Sequence, residues 1–188
     1  LIKPYDVPEF FILYPASTWK HKNHLKLLEA LEIIINKHNI NLKLICTGNN
    51  NTPHFDEINK KVEELRICNN VKFLGIVDDK DLYNLYKRAR AIVIPTLYEA
   101  GSFPLMESIL MKIPVICSNV TSLPETIGDI RFTFDPNNKE DISNKIIKIV
   151  TDINFRKENI NAIESASKEL RNTEISNNVS IIYNNLIK

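Results

Sequence analysis

The sequence predicts an α/β fold, a parallel sheet with helices packed on both faces. Three observations carry this. Apolar runs of strand length alternate with longer stretches of helical period along most of the chain. The short runs are apolar throughout, as in strands buried on both sides. The intervening helices have the length of βαβ crossovers, which join parallel strands.

The elements follow in order. Residues 10–14 (FFILY) read as the first strand, followed by the loop PASTWKHKNH. Leu25, Leu28, Leu31 and Ile35 then repeat at helical spacing over 25–35. Residues 42–46 (LKLIC) form a second strand, closed by Thr47, Gly48 and an Asn-rich turn, and 55–67 a charged surface helix. A third strand, 71–74 (VKFL), ends at Gly75, and a helix over 81–88 turns Leu82, Leu85 and Tyr86 inward. A fourth, 91–94 (AIVI), stops at Pro95, and the loop after it leads to a helix from near 103 to about 112. Residues 114–117 make a fifth strand. After Asp135 and Pro136 come helices over 142–150, 155–170 and 175–187. Residues 1–9 precede the fold; 10–188 form one domain, closed by the helices of about 140–188.

Composition narrows the function. Lys and Arg number 24 against 23 Asp and Glu, so no excess of positive charge marks a nucleic-acid binder. Three cysteines, Cys46, Cys68 and Cys117, are too scattered for a disulfide framework or a zinc site and read as buried free thiols. The start does not look like a signal peptide, and no run reaches the ~18 apolar residues of a membrane span. Without an initiator Met, the chain reads as part of a longer protein.

In open α/β sheets ligands bind beyond the carboxyl ends of the strands. That selects the loops 15–24, 75–80 and 96–103. In the last, PTLYEAGSFPLME, Gly101 and Ser102 precede a helix with Pro104 in its first turn. A helix start presents free N–H groups and suits phosphate. Glu99 and Glu107 stand eight positions apart on either side of it. A carboxylate accepts two hydrogen bonds and so receives vicinal hydroxyls. Spacing alone equally describes two surface acids.

The segment from Glu99 to Glu107 (EAGSFPLME), continued by Pro114 and Val115, resembles the E-x7-E segment of retaining glycosyltransferases with the GT-B fold. The FLG and LxxLYKRA runs before it, and Leu123-Pro124-Glu125, Gly128 and Asp135-Pro136 after it, match the same family in order, over roughly residues 10–185. The resemblance implies a Rossmann-like domain, the C-terminal half of a GT-B enzyme. It assigns Glu99 to the donor sugar's hydroxyls and Glu107 to the ribose. The amides of Gly101, Ser102 and Phe103 lie at sugar and diphosphate.

Lys20, His21, Lys22 and His24 crowd the first loop, ahead of a helix that Asn23 would cap. Cations there suit a diphosphate whose charge grows as the glycosidic bond breaks. Lys22 matches the family's Lys. The family's Arg falls on Ser17, leaving Lys20 as a substitute or the phosphate with fewer charges. His21 and His24 read as packing or capping residues. Asp79-Lys80-Asp81 mimics a D-x-D metal motif but sits where Asp caps a helix. Trp19 lines or covers the phosphate loop, and the resemblance implies that Ile76 and Val77 border the nucleobase.

The resemblance therefore implies a cytoplasmic transferase, peripheral to the membrane at most, that takes a nucleoside-diphosphate sugar and needs no metal. It also implies an N-terminal acceptor-binding domain, through which any membrane association would run. By itself this chain is expected to bind donor weakly and transfer nothing. Two other readings stay open, a nucleotide-sugar epimerase of similar architecture and a non-catalytic α/β nucleotide-binding module.

Overall fold

The computed structural model describes residues 7–171, with side chains through residue 168. Among these, six strands and seven α-helices run β1 (Phe11–Pro15), α1 (His24–Asn36), β2 (Lys43–Thr47), α2 (Phe55–Glu64), β3 (Val71–Phe73), α3 (Asp79–Arg88), β4 (Ala91–Ile94), α4 (Phe103–Leu110), β5 (Val115–Ser118), α5 (Leu123–Ile127), β6 (Thr133–Phe134), α6 (Lys139–Thr151) and α7 (Ile153–Arg171). The helix expected over 175–187 lies outside the described residues.

All neighbouring strands pair in parallel, in the order β3-β2-β1-β4-β5-β6. Successive side chains of a strand point to opposite faces. Phe11, Ile12, Leu13 and Tyr14 are nonetheless all at most 1% exposed, so both faces of β1 are covered. This is the parallel α/β sheet that the continuous apolar runs foretell. The chain builds outward from β1 to β3, then returns to lay β4 on the other side of β1. Such a reversal leaves a crevice between β1 and β4 at their carboxyl ends.

Local signals explain most boundaries. Asp78 accepts from the Asp81 amide, which starts α3 two residues before the expected 81. Asn138 caps α6 in the same way, through the Glu140 and Asp141 amides. The helix expected over 55–67 ends instead at Glu64, because Arg66 turns to φ 57° and drops Ile67 into the core. Lys112 at φ 56° likewise follows the end of α4. Two elements were not expected. The two-residue β6 is too short to show a period, and α5 spans five residues between Ser122 and a left-handed Gly128. Of the three thiols expected to be buried, Cys46 and Cys117 are, in β2 and β5; Cys68 is exposed, because the turn after α2 carries it to the surface.

Candidate active site

The crevice is framed by the loop after β1 and the loop after β4; five hydrogen bonds tie these together, and a sixth, to Pro136, reaches the turn after β6. The Asn23 amide group donates to the carbonyls of Pro95 and Pro136, both at 2.8 Å. The carbonyl of His21 accepts from the Leu97 amide at 2.8 Å and from Thr96 Oγ1 at 3.0 Å. Across this seam Lys22 Nζ donates to both oxygens of Glu99, at 2.8 and 2.9 Å. The pair is mostly buried, with side chains 19% and 11% exposed. Such a forked, charge-assisted contact fixes both groups far better than a surface ion pair does.

Asn23 corrects one expectation. It precedes α1 but makes no side-chain cap: its backbone is left-handed rather than the extended conformation of a cap, and its NH2 anchors the side chain on the two distant carbonyls. Its φ of 61° is the left-handed conformation that Asn tolerates. Beneath the loop the buried hydroxyl of Tyr14 donates to the Lys22 carbonyl at 2.8 Å. Burial first, then the charge of Glu99, raises the Tyr14 pKa well above its ordinary value, so it stays a donor.

His24 packs, as the sequence suggests. Its ring lies 4.8 Å from that of Tyr14 and 6.4 Å from that of Phe73, centroid to centroid. Burial, then the neighbouring His54 and Lys22, lower its pKa to about 3 against weak opposition from the Ala16 backbone, so the imidazole is neutral.

Beside the seam lies a cleft of about 290 Å³, walled by Ser17, Gly48, Ile76, Val77, Phe103 and Glu107 among others. Three loops thus converge at the strand ends. Gly48 makes the convergence possible: at φ 109°, a Cβ there would stand 2.7 Å from the Ala16 carbonyl carbon and 2.8 Å from the Ser17 nitrogen. Ile76 and Phe103 are 77% and 74% exposed, apolar side chains with a free face toward the cleft mouth.

Glu107 sits on α4, whose start is capped by Ser102 accepting from the Leu105 amide. One of its oxygens, Oε2, accepts from the Tyr86 hydroxyl at 2.7 Å. Burial, then this bond and the charge of Glu107, push the Tyr86 pKa far above the ordinary phenol range. The helical period places Tyr86 on the inward face of α3, but it does not distinguish a tyrosine that packs from one that also donates. Gly101 is exposed, and a side chain there would meet open space. Lys20 is also exposed; the structure brings Lys22, not Lys20, onto Glu99. Asp79 and Asp81 occupy the first turn of α3 behind the Asp78 cap. Among the described residues no three His, Cys, Asp or Glu side chains are grouped to hold a metal, and no helix is long and apolar enough to cross a membrane.

Comparison with known proteins agrees with this fold. The family profile of glycosyl transferases group 1 matches residues 3–168. The chain is 34% identical over 146 residues to O-antigen chain mannosyltransferase B of Escherichia coli, an alignment covering 78% of this chain and 38% of that protein. A glycosyltransferase from Rickettsia africae superposes with a TM-score of 0.81 at 27% identity, over 98% of this chain and 49% of that one. HepE of Anabaena, solved in complex with UDP and glucose, has the same fold, with a TM-score of 0.77 at 19% identity over 92% of this chain and 48% of that one. This chain thus spans less than half the length of each.

Proposed function

Since this chain belongs to the glycosyl transferases of group 1, we propose that its crevice binds a nucleoside-diphosphate sugar for retaining transfer to a glycan, lipid or protein acceptor. The observation that carries this reading is the Lys22–Glu99 pair at the β1/β4 reversal, with Glu107 in the adjoining cleft. Glu107 receives the ribose hydroxyls, and the base lies against Ile76 and Val77. Glu99 receives the sugar, and Lys22 with the amides of Gly101, Ser102 and Phe103 faces the diphosphate. Ser17 and Lys20 flank it, the first uncharged and the second from the loop's outer side.

The contribution of these groups is electrostatic and positional. As the anomeric C–O bond breaks, negative charge collects on the departing diphosphate, where Lys22 and the helix start stabilise it. Glu99 orients the sugar. The acceptor hydroxyl attacks from the same face and no metal is required. Without donor, Lys22 and Glu99 neutralise one another; a bound diphosphate draws Lys22 toward itself.

HepE's complex with UDP and glucose supports the choice of ligand class, and the mannosyltransferase relative supports a hexosyl donor. The acceptor is held by a second domain of the full protein, which works in the cytoplasm, at the membrane only through that domain. The present chain alone transfers nothing. Titrating the full-length protein against UDP-, GDP-, ADP- and dTDP-linked sugars tests the reading. One base should bind, Glu107→Ala should abolish that binding, and Glu99→Gln should cut turnover. Binding of none of the four, or indifference to Glu107→Ala, refutes it.

A further inference from the structure

The loop that carries Glu99 has three consecutive carbonyls, each held by a hydroxyl side chain. Thr96 Oγ1 donates to the Tyr98 carbonyl at 2.9 Å, sharing its proton with His21. Thr121 Oγ1 reaches the Glu99 carbonyl at 2.6 Å, and Ser122 Oγ the Ala100 carbonyl at 3.2 Å. In a trans peptide the N–H points opposite to the C=O of the same unit. Fixing these carbonyls therefore turns the amides of Glu99, Ala100 and Gly101 away from the hydroxyls. Among the described residues none of these three amides donates a hydrogen bond.

The turn that supplies two of the hydroxyls departs from local preference twice. Thr121 sits at φ 50°, where a β-branched residue is a genuine outlier. Ser122 precedes α5 but leaves the helix uncapped and sends its hydroxyl to Ala100 instead. Strained backbone persists where its surroundings over-determine it, and it gathers at functional sites. Thr121 is exposed, so core packing does not hold it there. Its bond partners are the Glu99 carbonyl and, at 2.9 Å, that of its neighbour Val120.

We propose that Thr121, seconded by Ser122, is a positioning residue for donor binding: its hydroxyl presets the Glu99 loop before the donor arrives, so that the carboxylate and the free amides face the sugar and diphosphate. This rests on the reading of Glu99 as the sugar's contact. The effect belongs to the sugar end of the site, because the ribose end is built separately, by Tyr86 and Glu107.

Two variants of the full-length protein separate hydroxyl from backbone. Thr121→Gly accepts φ 50° without strain but lacks the hydroxyl; Thr121→Ser keeps it. Calorimetric titration with GDP-mannose and UDP-glucose reads the whole site. GMP and UMP read the ribose end and report that the variant is folded. Thr121→Gly should weaken the bound nucleotide sugar about tenfold and leave the monophosphate unchanged, while Thr121→Ser keeps wild-type affinity for both. In a Glu99→Ala background the glycine substitution should cost clearly less, because only the loop amides are then left to misplace. Wild-type sugar affinity in Thr121→Gly overturns the proposal, as does an equal loss for monophosphate and sugar, or a loss undiminished in the Glu99→Ala background. If Glu99→Ala alone binds the sugar donor normally, the fault lies in the reading of Glu99, and the proposal goes with it.

Discussion

Replacing Tyr86 with Phe deletes a single oxygen, from a side chain only 1% exposed, and leaves the packing of α3 intact. What is lost is the 2.7 Å bond to Glu107 Oε2. A hydrogen bond to a charged group contributes about 1.5–3 kcal/mol net. Glu107 is half-buried in the cleft wall, so water replaces part of the contact, and a stability loss of about 1–2 kcal/mol is expected. The functional effect has another origin. Fully ordering a Glu side chain costs up to roughly 2 kcal/mol of rotamer entropy, which the tyrosine bond offsets in advance. Without it the ligand must order the carboxylate, and about 1 kcal/mol, or roughly fivefold in affinity, is lost. Because the ribose is held alike in ground and transition states, the loss belongs in KM, with kcat nearly unchanged. Urea unfolding measures the first quantity and steady-state kinetics of the full-length protein the second. Wild-type affinity in Tyr86→Phe, or a loss confined to kcat, would refute this account of how Glu107 is held.

Acid should unfold the domain partly through His24. Its folded pKa of about 3 lies below the ordinary ~6.5, so the unfolded state binds a proton that the native state refuses. The stability is present in full above ~6.5 and declines as pH falls toward 3; between pH 8 and 5 about 2 kcal/mol should disappear, a slope that His24→Phe removes in urea titrations at several pH values. Asn23→Gly keeps the left-handed backbone but strands the carbonyls of Pro95 and Pro136; a loss of roughly 2–4 kcal/mol on unfolding is expected, larger still for Asn23→Ala. The two loop glycines should differ sharply. Gly48→Ala drives a Cβ into backbone atoms and should cost at least about 2 kcal/mol, whereas Gly101→Ala meets open space and should lie within about 0.5 kcal/mol of wild type by the same unfolding assay.

Much of the architecture is legible along the chain because it is written in short-range physics. Runs such as FILY and AIVI are apolar at every position, which only a strand covered on both faces tolerates. The start of α4 is marked by Ser102 and Pro104, and the ordered motifs around Glu99 and Glu107, rather than their spacing, single out this loop before any fold is known. The rest depends on partners far apart in sequence. Lys22 and Glu99 are separated by 77 positions and meet only because β4 returns to lie beside β1. Local rules give Asn23 to a helix cap, yet its backbone turns left-handed and two carbonyls 72 and 113 positions away anchor its NH2, since buried acceptors left unpaired cost more than an uncapped helix start. Thr121 gives no sign in the sequence of its φ or of the Glu99 carbonyl it holds. Periodicity records which face of an element is apolar; the order of strands in the sheet decides which distant groups share a crevice, and no local pattern carries that order.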